Sequence, residues 1–373
     1  MCSDKSSIME IPWHLMADIL SRLPVKTIVH CKCVCKTWSH LLSELYFINL
    51  HLSRSPVGLL IYQRYQSGPD CLKIGELEDK PDHHDVHHDP LIRSEPKFGL
   101  QDTLDLWLIG SVDGLVCLWR YSVDEATYIC NPVTREYVLL PDNNYIRKSY
   151  AIVIYGFGSV ASTKQYKVVR FYQGNYPSEE GSYISECAVY TLGEGQWRCL
   201  GHVPFLVGGR QTGVSVNGNL HWLAYERDNV NSHELVCAFD METESFQLNA
   251  SAESAPLGDH EYYVRSLGIL RGCLCVCDNT SESEFVIWVM KDYGLKESWT
   301  KEVVIRENHA RPLDEMVHVL KVFMDGSILM LFRDDFMFTY HPGTKTVQEL
   351  EIFRDPSRGI FDAMLYVPSF IRL

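Results

Sequence analysis

Residues 266–277 read SLGILRGCLCVC, two runs of β-prone residues meeting at Arg271-Gly272. Short β runs on either side of a two-residue turn specify a hairpin, because glycine adopts the positive φ of such turns without steric cost. The pattern returns at Asp113-Gly114, Asn217-Gly218 and Asp325-Gly326, each time between β-rich runs. These glycines stand at 114, 218, 272 and 326, so the last two intervals are 54 residues and the first, 104, is twice 52. Midway through the long gap a polar turn, Ser162-Thr-Lys-Gln165, separates YAIVIYGF from YKVVRFY and keeps the phase without a glycine. A second turn follows each of these in phase, at Asn131–Thr134, Leu192–Gly195, Met241–Glu244, Lys291–Gly294 and Pro342–Lys345. Two turns per repeat give about four strands per 50-residue unit, the arithmetic of a propeller blade.

The 323 residues beyond position 50 hold about six such units, of which five are visible. The sixth is expected to combine strands from 57–78 with a C-terminal strand Ala363–Arg372. Both ends of the chain then close the ring, which removes open sheet edges. A stacked β-sandwich is the competing architecture.

The first fifty residues follow a different period. After Pro12 the apolar series Leu15, Met16, Ile19, Leu20, Leu23 repeats at helical spacing, and Pro24 is expected to end that helix. Ile28 and Val29 mark a second short segment; Val34, Trp38, Leu41, Leu42 and Leu45 mark a third. Three short helices in about forty residues bury too little area to stand alone. The unit therefore needs a partner, or else caps the larger domain.

Charge divides the chain at the same place. Overall it carries 34 Lys and Arg against 48 Asp and Glu, a net charge of −14, with 46% apolar residues. Residues 1–50 hold five basic against four acidic side chains, +1, which leaves −15 on the remainder. That acidity argues against nucleic acid or an anionic membrane as partner and permits a basic protein. No apolar core of a secretion signal precedes Glu10, and no apolar run is long enough to span a bilayer. Thirteen cysteines, an odd number without any CxxC pair, are expected to be reduced and intracellular.

The motifs that suggest chemistry have plainer readings. Gly156-Phe-Gly158 follows a strand-like run but precedes YKVVRFY rather than a helix, so a hairpin is preferred to a dinucleotide site. Asp82-His-His-Asp-Val-His-His-Asp89 would place His83 with His87, and His84 with His88, on one helical face. It lies between Pro81 and Pro90 and reads better as a solvated acidic loop than a metal site. There is no G-x-S-x-G and no H-E-x-x-H, and Asp334 and Asp335 would face opposite sides of a strand. Trp119, Trp197, Trp222, Trp288 and Trp299 recur at strand positions and are expected between blades. No catalytic residue, metal or cofactor is expected.

IPWHLMADILSRLPVKTIVHCKCVCKTWSHLL (11–42) resembles the F-box, through Ile11-Pro12, the central Ile19–Pro24 and the closing Val34-Cys-Lys-Thr-Trp38. The resemblance implies docking on a Skp-type adaptor, and through it on the cullin and RING subunits of an SCF ubiquitin ligase. By position that role falls to Pro12, Leu15, Ile19, Leu20, Leu23, Pro24, Val34 and Trp38. His14 stands where an acidic residue is usual, and His30 near a common Arg. The motifs GSVDGLVCL (110–118), CNPVTREYVLLP (130–141), YGFG with YKVV (155–158, 166–169), VNGNLHWL (216–223) and FVIWVMKDYGLKESWTKE (285–302) resemble the F-box-associated domain of the plant F-box/kelch-like family.

The expected architecture is mainly β. A flexible tail (1–8) leads into a small three-helix F-box (9–50), followed by a kelch-like β-propeller of about six blades (51–373). The implied function is that of a non-catalytic receptor, in cytoplasm or nucleus, holding a target protein of unknown identity for ubiquitination. FDAMLYVPSFIRL (361–373) and the 285–302 motif also resemble S-locus F-box proteins, which recognise basic pistil ribonucleases. An alternative of another class is a propeller that binds small molecules or glycans, or is an enzyme, with the helices as a cap. Target contacts are expected in Gln173–Glu186, Glu226–His233, Asp278–Glu284 and Arg306–Glu315.

Overall fold

The computed structural model describes residues 11–65, 71–77, 92–94, 106–120, 125–142, 152–174, 185–208, 212–226, 234–250, 265–281, 284–306, 316–332, 336–350 and 358–373. The tail 1–8, the His-rich run 82–89 and Asp334-Asp335 fall outside them.

Four short helices lead the chain, one more than the sequence suggests: α1 (Trp13–Leu20), α2 (Val25–Cys31), α3 (Lys36–Leu41) and α4 (Leu45–Leu52). Pro12 and Pro24 hold the N-cap positions of α1 and α2 with extended backbone. Pro24 thus opens the second helix, while the first already ends at Leu20. Proline suits this place because its missing N–H has no intrahelical partner there. Cys35 caps α3, its Sγ accepting from the Trp38 amide at 3.5 Å. The additional helix, LYFINLHL, is apolar on several faces and so carries no stripe to betray it. Met16, Ala17, Leu20, Val25, Ile28, Leu41, Leu42, Phe47 and Ile48 form the core of this unit.

The described strands form six antiparallel sheets. Blade 1 contains β1 (Gly58–Tyr65), β2 (Cys71–Glu76) and β3 (Ile92–Ser94). Blade 2 runs β4 (Leu106–Val112), β5 (Leu115–Arg120), β6 (Ala126–Asn131), β7 (Glu136–Leu139), and blade 3 runs β8 (Ile152–Ser159), β9 (Tyr166–Gln173), β10 (Ser185–Thr191), β11 (Trp197–His202). Blade 4 has five strands, because β12 (Phe205–Val207) and β13 (Val214–Val216) both pair with β14 (Asn219–Glu226), ahead of β15 (Leu235–Asp240) and β16 (Phe246–Ala250). Blade 5 comprises β17 (Arg265–Leu270), β18 (Cys273–Asp278), β19 (Glu284–Met290) and β20 (Trp299–Arg306); blade 6 comprises β21 (Val317–Val322) to β24 (Thr346–Glu349), through β22 (Ile328–Phe332) and β23 (Phe336–His341).

The ring closes when β25 (Arg358–Tyr366) pairs with β1, in register from Gly58 opposite Tyr366. That strand starts and stops earlier than the expected Ala363–Arg372. Pro368 has no N–H to give a ladder, so the chain leaves the sheet before it. Closure leaves the propeller without the terminal gap that would expose its first strand.

Apolar side chains from facing sheets fill the wedges between blades. Trp222 is fully buried, edge-on to Phe171 at 5.0 Å, and its Nε1 donates to the Tyr155 carbonyl at 3.1 Å. A Cβ at Gly156 would lie 2.4 Å from that indole ring. Gly156 of YGFG therefore makes room for a tryptophan in the next blade, and Gly158 for Met241 and Leu220, rather than for a phosphate.

Bonds between blades show that their strands share one direction. At one rim the Leu106 amide donates to Tyr62 Oη, Arg170 to Glu125, Gln173 Nε2 to the Val207 carbonyl, Arg265 to Glu234 and Ser266 Oγ to the Val317 carbonyl. At the other, Tyr366 Oη donates to the Gly114 carbonyl, Tyr166 Oη to Asp113, Lys167 Nζ to Glu244 and Asn219 Nδ2 to Tyr293. This second rim collects the tight turns, the chain entering from α4 and the C-terminus. We call it the helix-side rim, and the first the far rim.

Candidate functional site: an apolar face on the helical unit

Helix α1 is apolar on two sides. Met16, Ala17 and Leu20 point into the unit, Leu20 being only 4% exposed, whereas Leu15 and Ile19 point to solvent, Ile19 at 54%. One turn separates Leu15 from Ile19, so they form an outward stripe. The stripe has company: Ile11, Trp13, Val29, Val34, Leu45 and Tyr46 are exposed as well, Val34 at 65%. Trp13 and Tyr46 meet edge to face at 5.4 Å, joining α1 to the start of α4. Scattered single exposed apolar side chains are ordinary, but eight in a unit of four short helices form the kind of concentration that marks an interaction surface.

The scaffold beneath is held by a polar clasp. Arg54, just after α4, donates to the Asp18 carboxylate at 2.6 Å and to Ser21 Oγ at 2.6 Å, and Arg22 also pairs with Asp18. The Arg54 hydrogen bond, followed by that from Arg22, holds the Asp18 carboxyl below the usual range despite opposing desolvation. The clasp fixes the two ends of the unit against each other on α1.

Of the residues expected to dock, Pro12, Leu15, Ile19, Pro24 and Val34 are exposed. Leu23 and Trp38 are half-buried against the helix core, and Leu20 is inside it. Leu20 therefore shapes the face rather than forming it. Trp13, Leu45 and Tyr46 were not anticipated. In α1 two apolar stripes lie side by side, and periodicity alone does not say which turns inward; Leu45 and Tyr46 belong to the helix that showed no stripe.

The propeller presents a second, electrostatic surface. The connections 66–70, 95–105, 121–125, 140–151, 174–184, 203–204, 227–234, 251–264, 279–283, 307–316, 333–335 and 350–357 each join strand ends that lie at the far rim. By sequence these hold 22 Asp and Glu against 7 Lys and Arg, a net charge of −15. The helix-side connections, counted with the linker 51–57 and the tail 367–373, hold 12 against 9, a net −3. The four segments expected to touch a target all leave from strand ends on the far rim; residues 175–184, 227–233, 282–283 and 307–315 within them lie outside the described residues. Among the described residues there is no group of three metal-ligating side chains. No helix there is long and apolar enough to cross a membrane.

Two family profiles match this chain, an F-box domain over residues 8–50 and an F-box associated beta propeller domain over residues 82–373. The Arabidopsis thaliana F-box protein CPR1 is 30% identical over 321 residues, covering 80% of this chain and 73% of the relative. F-box protein At3g07870 of the same plant is 28% identical over 374 residues, covering 89% of this chain and 85% of the relative. Among solved structures, Trypanosoma rangeli sialidase aligns at a TM-score of 0.42 and 10% identity, over 71% of this chain and 54% of that one. A likeness of that size carries no argument about activity.

Proposed function

The chain belongs to the F-box proteins that carry an F-box-associated β-propeller domain, and on that premise we propose that it is the target-recognition subunit of an SCF-type ubiquitin ligase, working in the cytoplasm or nucleus. The observation that carries this reading is the outward apolar face of the helices, built around Leu15, Ile19 and Val34. Burying each such side chain against a Skp-type adaptor contributes about 1.5–3 kcal/mol, enough in sum for stable docking. The adaptor in turn brings the cullin and RING subunits. This chain contributes proximity and orientation, while ubiquitin transfer takes place elsewhere in the complex.

Co-purification with a Skp-type adaptor tests the docking. Ile19→Asp and Val34→Asp each place a charge on the exposed face without entering the core, so both variants fold with unchanged melting temperature and lose the adaptor. Equal recovery of adaptor by wild type and both variants removes the ligase reading.

The far rim is the target surface in this account, and its acidity selects a basic protein. A lysine-rich partner suits both the field and the chemistry, since ubiquitin is joined to a lysine amine. Basic ribonucleases, which S-locus F-box proteins recognise, are one such class. Charge reversal at Glu179, Glu180, Asp314 and Glu315 slows capture of a basic target and flattens its salt dependence. Unaltered capture at low and high salt would reject the basic-target assignment.

A further inference from the structure

The last seven residues, 367–373, belong to no strand, yet they are fixed on two sides. On the propeller side, Ser369 is fully buried and its hydroxyl donates to the Asp113 carbonyl at 2.6 Å. The turn beneath it accepts this approach because residue 114 is glycine: a Cβ there would lie 2.2 Å from Ser369 Oγ. Asn131, also fully buried, spends its amide on the tail, donating to the carbonyls of Ser369 at 3.1 Å and Ile371 at 2.7 Å. The Asn131 Oδ1 meanwhile accepts from the Val133 amide at 2.9 Å and shapes its own turn. Glu136 accepts from the Leu373 amide at 3.4 Å.

The side chain between these anchors goes the other way. Phe370 is 2% exposed and sits in the core of the helical unit with Met16, Ile28, Leu42 and Phe47. Its ring lies 5.2 Å from that of His51 on α4, and the Lys32 ammonium sits 4.4 Å above it. Ile371 packs against both the helix core and the core between blades 2 and 3. A core that begins at residue 16 is therefore completed by residue 370.

We propose that the tail 367–373 is a positioning strap, which completes the F-box from the far end of the chain and locks it to blade 2. The inference rests on the docking role given above and extends it. Docking helices and recognition ring then move as one body, and the target held at the far rim stays at a fixed distance and angle from the adaptor. The strap follows directly on the strand that closes the ring, so a chain whose ring is open also lacks an ordered docking unit. Phe370, Asn131 and Ser369 are positioning residues, acting through the helices they hold.

The test measures the distance between spin labels on Cys33 in the F-box and Cys199 in blade 3, both exposed, in a full-length chain whose partly exposed cysteines are removed by Cys31→Ala, Cys35→Ser and Cys273→Ser, together with Cys2→Ser and Cys71→Ser. Wild type gives one narrow distance distribution. Phe370→Ala at least doubles its width, and adaptor affinity falls about tenfold because only molecules with an ordered docking unit bind. Phe370→Leu, which restores an apolar knob, recovers most of both. Should Phe370→Ala unfold the helices, Asn131→Leu carries the same test, since it releases the strap from the propeller side alone. A residue that merely added stability would lower the melting temperature and leave the width unchanged. Unchanged width in both variants overturns the proposal. The widths are read without adaptor, so a wild type that failed to bind adaptor would end the docking reading and leave the strap test intact.

Discussion

The F-box and the propeller solve the problem of an incomplete surface in opposite ways. The ring closes on itself: β25 returns to β1, and the wedges between blades are filled from both sides. The helical unit leaves its surface open, with Leu15, Ile19 and Val34 in solvent and one of its core positions filled by Phe370 from the other end of the chain. Closure yields a ring whose far-rim connections carry a net charge of −15 by sequence. Openness yields a small, nearly neutral module whose exposed apolar area is the reason it binds. The proposed receptor, which joins an adaptor to a target, needs both kinds of surface, and the proposed strap holds them at one angle.

The difference is measurable as stability. Trp222→Ala empties a wedge between blades 3 and 4 and removes one of the two donors to the Tyr155 carbonyl, so it costs about 3–5 kcal/mol of unfolding free energy. Chemical denaturation reads this directly, and a loss below about 1 kcal/mol would mean that blade packing does not hold the ring. In the helices the decisive contrast is between neighbours. Leu20→Ala destabilises by about 2–5 kcal/mol, because Leu20 lies in the core. Ile19→Ala, one residue earlier but facing solvent, stays within about 0.5 kcal/mol of wild type. Equal costs would erase the distinction between inward and outward stripes.

The smallest effect concerns pH. Burial beside Phe47 and Phe370 lowers the His51 pKa, outweighing a backbone hydrogen bond that raises it. The unfolded chain thus takes up a proton at a higher pH than the folded one. His51 supports the fold above the ordinary histidine pKa of 6.5, and this support is lost as pH falls through its lowered value. For one group the slope is at most about 1.4 kcal/mol per pH unit. His221, buried in blade 4 between the Val214 carbonyl and Tyr293, follows the same sign. His51→Gln should therefore flatten only part of the decline in melting temperature between pH 7.5 and 5.5. A decline identical to that of wild type would show that His51 titrates normally in the folded chain.

The ring was legible because its turns impose a backbone geometry that few residues accept. Asp113-Gly114, Asn217-Gly218 and Arg271-Gly272 all have positive φ at both positions, and their spacing announced the blades. Where other residues take that conformation, as do Lys164, Arg135, Glu244 and Lys345, the turn was legible from its polar residues and its phase, and the backbone geometry itself was not. The split inner strand of blade 4 was equally hidden, since β12 and β13 share one place in the sheet. On the helices, resemblance named a set of residues expected to dock, but not their division into inward and outward. Leu20 and Ile19 are both apolar, and only tertiary packing tells them apart. The strap lay beyond reach for a similar reason: YVPSFIRL is apolar enough for a strand, and what turns it aside is Pro368 together with the helix core of residues 16–48, far upstream in the chain, that waits for Phe370.

Amide hydrogen exchange of the full-length protein, with and without a Skp-type adaptor, tests the central claim most directly. The account predicts new protection in residues 11–20, 25–34 and 45–47, with the connections of the far rim unchanged. Protection confined to the propeller, or none on the helices at saturating adaptor, would contradict it.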